Sequence, residues 1–276
     1  MRATPAKLIR EIMLGSPKQH HIKILLESQL DKQSLIAGLT PLLPDEFQGK
    51  TDQIKNALAD QPAEKASRFF CEAGLFNYQC GEKGSAALNF LLALEIDPNS
   101  FEVLYNIGVV FDDLGDYVRA EVAYVLALQL NRKFLVAWLD IGVLYLSRER
   151  QHEAIFVFEQ AIQVDPNCAE AWKNLGAAFI GTMNFEKASK AYRRAAELKL
   201  DDVRIWENLA LSLAFDFKFD DALEAARRTL DLDPENAQTK LFFVELQNLA
   251  MRESFFRNVL ASAWKVYLER KHGIKT

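Results

Sequence analysis

Residues 135–168 read LVAWLDIGVLYLSRERQHEAIFVFEQAIQVDPNC, and residues 169–202 read AEAWKNLGAAFIGTMNFEKASKAYRRAAELKLDD. Set one above the other, they align Trp138 with Trp172, Gly142 with Gly176 and Ala154 with Ala188. The same step of 34 residues leads on to Trp206, Ala210 and Ala222. In the other direction it leads to Leu104, Gly108 and Ala120, then to Phe70, Gly74 and Ala86. A fixed period of this size decides the architecture before local propensity is weighed. Each repeat is one supersecondary unit that buries its apolar face against its neighbours.

Each unit reads as two amphipathic helices. In residues 135–168, Val136, Trp138, Leu139, Ile141, Val143, Leu144 and Tyr145 have a helical spread with no proline. A polar break follows from Ser147 to Gln151, after which Ala154, Ile155, Phe158, Ala161 and Ile162 resume three-to-four spacing. Asp165-Pro166 stops the second helix, because proline disfavours helical geometry in the residue before it. Asp-Pro recurs at Asp97-Pro98 and Asp233-Pro234, whereas the junctions near Arg132 and Leu200 lack it. Gly74, Gly108, Gly142 and Gly176 fall where the first helix crosses the second. Glycine inside a helix costs about 0.8–1 kcal/mol relative to alanine, so its recurrence implies close backbone approach. The repeated alanines are expected to offer the complementary small surface. Phe90, Tyr124, Phe158 and Tyr192 are expected to fill the space between hairpins.

Together these residues resemble the tetratricopeptide repeat (TPR) family. Its pattern is met in the best unit by Trp138, Ile141, Gly142, Tyr145, Ala154, Phe158, Ala161 and Pro166. The resemblance covers five tandem units, residues 67–100, 101–134, 135–168, 169–202 and 203–236. The last departs most, with Ala210 in place of glycine, Leu213 and Ala226 in place of the aromatics and Thr229 in place of the second alanine. Such departures gather near the ends of arrays. The resemblance implies an all-α fold, a right-handed α-solenoid of helix–turn–helix units forming one extended body. Residues 237–276 are expected to be C-terminal capping helices, one opening with Leu241, Phe242, Val244 and Leu246, the other over about Glu253–Arg270. Residues 1–66 lack the period and are expected to form a helical N-terminal extension. Thr4-Pro5 and Ser16-Pro17 read as helix caps followed by proline, opening helices that run to Leu14 and Leu30. Leu25, Leu26, Leu30, Leu35, Ile36, Leu39, Leu42 and Leu43 imply that this extension packs on something.

The composition, 50% hydrophobic and 26% charged over 276 residues, is that of an ordered protein. Met1–Leu14 lacks the apolar run of a signal peptide, and no stretch is long and apolar enough to span a bilayer. The expected location is cytoplasmic. Net charge is +1 over residues 1–66, −10 over 67–236 and +4 over 237–276. An acidic array repels phosphate backbones, so no nucleic acid is expected as partner. No catalytic, cofactor-binding or metal site is expected. The four histidines and three cysteines show no metal spacing, and no phosphate-binding or nucleophile motif occurs.

Binding is the reading the residues favour. In the resembled family, the first helices of successive units line a concave groove. At its sixth positions stand Glu72, Asn106, Asp140, Asn174 and Asn208. An asparagine amide can both donate to and accept from a peptide backbone, and it can equally bond its own neighbours. The expected contacts are Asn106, Asp140, Asn174 and Asn208, with apolar support from Val109, Val143, Leu146 and Phe215. Lys173 and Arg204 are the basic groove residues of the last two units. The family's carboxylate clamp needs asparagine at the ninth position of its first unit, and no unit here has it, so the resemblance does not extend to that clamp. Glu102, Asp112, Asp113, Asp140, Glu170 and Glu207 make the groove acidic. The expected function is a protein–protein interaction scaffold, adaptor or chaperone, and the expected partner a polypeptide segment with apolar anchors and basic residues. Two rivals stay open: self-association through the aromatic C-terminal cap, and an enzyme subunit with its site in the N-terminal extension.

Overall fold

The computed structural model describes residues 63–253. Most of the expected N-terminal extension lies outside the described residues. So does most of the second capping helix, with Phe255, Phe256, Trp264 and Tyr267. Among the described residues every regular element is a helix. The first hairpin pairs α1 (Ala63–Gln79) with α2 (Lys83–Ile96), the second α3 (Phe101–Asp113) with α4 (Tyr117–Leu130), and the third α5 (Leu135–Ser147) with α6 (Gln151–Val164). Then come α7 (Ala169–Gly181) with α8 (Phe185–Leu198), and α9 (Val203–Phe215) with α10 (Phe219–Leu232). Residues 237–253 form α11. The chain divides into two compact units between Pro166 and Asn167, with α1–α6 in the first and α7–α11 in the second.

Side chains cap several of these helices. Ser100, Asp116, Asn184 and Asp202 each accept a backbone N–H from the first turn of the helix they precede. Such caps are worth about 1 kcal/mol each. At every turn inside a hairpin one residue takes a left-handed conformation: Gly81, Gly115, Glu149, Met183 and Phe217. The N–H that follows each returns to a carbonyl of the first helix, as in Asp116 to Phe111 at 2.8 Å and Lys218 to Leu213 at 2.9 Å. This is the Schellman closure, which favours glycine at the left-handed residue because a Cβ is strained there.

The crossing within each hairpin differs from the sequence expectation in one respect. The aromatic residue of the second helix lies on the glycine of its own hairpin. A Cβ added to Gly108 would lie 2.6 Å from a Tyr124 ring carbon, and one added to Gly176 would lie 2.7 Å from Tyr192. Gly74 meets Phe90 and Gly142 meets Phe158 in the same way. Glycine is therefore the seat of a flat ring. In the fifth hairpin both members change together: Ala210 replaces the glycine, Ala226 replaces the ring, and both are buried.

The two junctions without Asp-Pro close by another bond. The Trp138 indole N–H donates to the Arg132 carbonyl at 2.8 Å, and that of Trp206 to the Leu200 carbonyl at 2.9 Å.

One charged cluster holds α4, α5 and α6 together. Arg150 Nη1 donates to Glu121 Oε2 at 2.6 Å, and its Nε donates to Glu153 Oε1 at 2.9 Å. The Tyr145 hydroxyl also donates to Glu121 at 2.9 Å, and the Arg150 guanidinium lies over the Tyr145 ring. Both carboxylates are buried. Burial opposes the charge on Arg150, but the hydrogen bond and charge of Glu121 outweigh it and push its pKa up.

Candidate functional site

In the first unit, α1 is linked to α3 near their C-terminal ends and α3 to α5 nearer their N-terminal ends. The Tyr78 hydroxyl donates to Asp113 Oδ2 at 2.6 Å, and the Tyr105 hydroxyl to Asp140 Oδ2 at 2.7 Å. The bond to Asp113 is the largest of the influences that push Tyr78 up to about 12. Burial is the leading cause that raises Tyr105. Lys83 Nζ supports Asp113 from below, donating to its carbonyl at 3.0 Å.

Two further carboxyls sit on this face. Burial pushes Asp140 above the usual aspartate range, while its bond from Tyr105 pulls the other way. Burial raises Asp112 as well, assisted by the charges of Asp113 and Asp140. Among the described residues neither Asp112 nor Asp140 has a basic partner. Beside them runs an apolar strip on which Leu75 is 41% and Val143 47% exposed, with Val109 and Leu146 half-buried. Asn106 is half-buried and lies near the Cys71 thiol. That thiol is pushed up by burial and by Glu102 and Glu72, with Asn106 opposing.

The second unit repeats the arrangement with different polar groups. Asn174 is half-buried and makes no side-chain hydrogen bond among the described residues. Asn208 Nδ2 donates to the Arg204 carbonyl one turn back, at 2.9 Å. Lys173 is held by Glu170 at 2.6 Å, whereas Arg204 is exposed with no ion pair among the described residues. Phe215 is 54% exposed and stacks on Phe185, ring centroids 4.7 Å apart. Between α9 and α11 a cleft of about 230 Å³ is lined by Glu207, Asn208, Leu211, Gln238, Thr239 and Phe242. Glu207 is held there by the Asn236 amide at 2.6 Å and the Thr239 hydroxyl at 3.4 Å.

The structure thus places Asn106 and Asp140 on one face of the first unit, and Asn174 and Asn208 on first helices of the second. The three asparagines are not equivalent. Asn106 faces a thiol, Asn208 bonds its own helix, and Asn174 has its amide open. Sequence reasoning missed the tyrosine links and the part played by α11. Both had a signal. Tyr78 and Tyr105 each precede an aspartate by 35 residues, and Gln238 and Phe242 continue the 34-residue step from Arg204 and Asn208.

Tetratricopeptide repeat models match three stretches of the chain, residues 89–122, 135–178 and 178–237. The chain belongs to the tetratricopeptide repeat family. No curated sequence matches it. Solved structures similar to it include MamA from Desulfovibrio magneticus, at 22% identity over 62% of this chain and 97% of that one, TM-score 0.57. YrrB, described as a TPR protein with an unusual peptide-binding site, is 17% identical over 67% of this chain and 95% of that one, TM-score 0.58. PilF from Pseudomonas aeruginosa is 20% identical over 77% of this chain and 95% of that one, TM-score 0.56. Identities this low carry the all-α tetratricopeptide fold and no more. The repeats support a protein–protein interaction scaffold, and proteins of this family are typically non-catalytic. Among the described residues no helix of this tetratricopeptide protein is long and apolar enough to cross a membrane.

Proposed function

We propose that this tetratricopeptide protein is a cytoplasmic scaffold, adaptor or chaperone without catalytic activity. It holds a polypeptide segment with apolar anchors and basic residues against the first helices of its repeats. The observation that carries this reading is the pairing on α3 and α5. Val143, nearly half exposed, follows Asp140 by one turn on α5, and Asp140 lies near Asp112; burial makes both carboxyls costly to ionise, and they have no cation among the described residues. A lysine or arginine brought by a ligand would supply the missing charge, and an apolar side chain next to it would cover Val143. In the second unit Leu211 and Phe215 offer the apolar contact, and Asn174 offers an open amide to a peptide backbone. YrrB's described peptide-binding site supports the same class of ligand.

Designed peptides test this. A labelled peptide that alternates leucine with arginine should raise its anisotropy on titration with the protein. One that alternates leucine with glutamate should not. Equal binding of both, or of neither, would reject the reading.

A second copy of the chain is the alternative partner. Leu241 (72% exposed), Val244 and Met251 on α11 favour it. Light scattering that shows mass rising with concentration, and falling when Leu241 and Met251 are made polar, would establish it.

A further inference from the structure

The second helices of the hairpins turn a face away from their first-helix partners, and that face changes character along the chain. On α8 its central residues are Lys190, Arg193 and Arg194, and on α10 they are Glu224, Arg227 and Arg228. These are open to solvent, save Arg194, which is partly so. The same places on α4 hold Val122, Val125 and Leu126, and on α2 they hold Leu88, Leu91 and Leu92. Val125 is 1% exposed and Leu91 2% exposed. Yet α4 packs on α3 much as α8 packs on α7, α4 meets α5 less extensively than α8 meets α9, and the helices flanking α8 leave its outer face open. Among the described residues, the flanking helices do not account for this difference in cover.

We propose that residues 1–62 dock on the outer face of α2 and α4 through a leucine-rich amphipathic helix. This segment leads directly into α1, the partner of α2, so it ends at the unit whose back is apolar. Its sequence supplies a matching face. Ile22, Leu25, Leu26 and Leu30 recur at three-to-four spacing between Pro17 and Leu30, with Lys23 and Glu27 off that face and Lys18 at its N-terminal end, one turn before Ile22. A helix of that length runs about 21 Å at 1.5 Å per residue, against about 8–10 Å between packed helix axes. It can thus lie across two neighbouring second helices. The first unit then works on two sides, with ligand on its first helices and the chain's own N-terminal segment on its back.

Thiol labelling of the full chain tests this, after Cys71, Cys80 and Cys168 are changed to alanine. Val125→Cys reports the covered face, and Arg193→Cys reports the equivalent open place on α8. With an aromatic disulfide reagent, position 125 should label about a hundredfold more slowly than position 193, since reaction requires local opening. Adding Leu25→Ser, Leu26→Ser and Leu30→Ser, which leaves the repeats untouched, should bring position 125 to the rate of position 193. Helicity by circular dichroism checks that the repeats remain folded. Three results overturn the proposal: fast labelling of position 125 in the parent chain, slow labelling that survives the three serines, or protection that weakens on dilution. The last would make a second copy the cover.

Discussion

Helices α4 and α8 occupy the same place in their repeats and differ in how much of themselves they bury. Toward the first helix they are alike: Ala120, Tyr124 and Ala127 on α4 match Ala188, Tyr192 and Ala195 on α8, all buried. Away from it α4 is apolar and covered, while α8 is charged and open. Where each helix meets the next hairpin, α4 buries Glu121 against Arg150. The equivalent Ser189 on α8 bonds only the Glu186 carbonyl at 2.9 Å. The inward half of a repeat helix is dictated by the repeat, which needs small residues and one ring over glycine. The outward half is free of that demand and records what each helix meets.

The largest break in this comparison is expected at Glu121. Arg150→Met takes the cation from two buried carboxylates, Glu121 and Glu153, and should lower stability by about 3–5 kcal/mol in denaturant unfolding. Adding Glu121→Ser, the α8 solution, should recover more than half of that loss. Next come the outward faces. Val125→Arg should cost about 2 kcal/mol of lost burial, more if the charge stays dry. Arg193→Val should stay within about 1 kcal/mol of neutral, since it removes only an exposed ion pair with Asp221. The inward halves should respond alike: Gly108→Ala and Gly176→Ala each push a methyl into a ring and should cost about 1–3 kcal/mol by the same assay.

Smaller effects sharpen the account at the turns. Met183→Gly and Phe217→Gly relieve left-handed strain and should each raise stability by about 0.5–1 kcal/mol. The smallest effect concerns pH. Asp140 is harder to ionise folded than unfolded, so the native state binds its proton more tightly. Stability should therefore fall as pH rises through the ordinary aspartate value near 4. The loss is complete once pH exceeds the raised native value. Asp140→Asn should remove that component, read as a flatter pH–stability curve on the acid side.

Much of the fold was legible because the repeat is written in residue types that only one geometry accepts. The glycine at the crossing was legible, yet its partner was not. Alanine and the aromatic residue both recur at the step, and only the crossing angle decides which lies on Gly108. The left-handed turns were hidden for a different reason. Gly81 and Gly115 advertise them, but Glu149, Met183 and Phe217 adopt the same conformation because the Schellman bonds on either side hold them in it. The missing prolines near Arg132 and Leu200 weakened those boundaries, and the indole bonds found there join residues six apart. At the candidate site, the period located every sixth-position residue but not what its side chain meets. Asn208 satisfies its amide on its own backbone, a local option open to any asparagine on a helix. Asn106 instead meets Cys71, a neighbour from another helix.

The central claim is that polypeptide partners dock on the apolar and acidic faces of the first helices. Affinity capture from the native cell's lysate tests it most directly, comparing wild type with Val143→Asp/Leu211→Asp and with Lys190→Asp on the back of α8. All three substitutions fall on exposed side chains and should leave the fold intact. The account predicts a protein retained by wild type and by Lys190→Asp, and lost from the double variant. Equal retention by all three would contradict it.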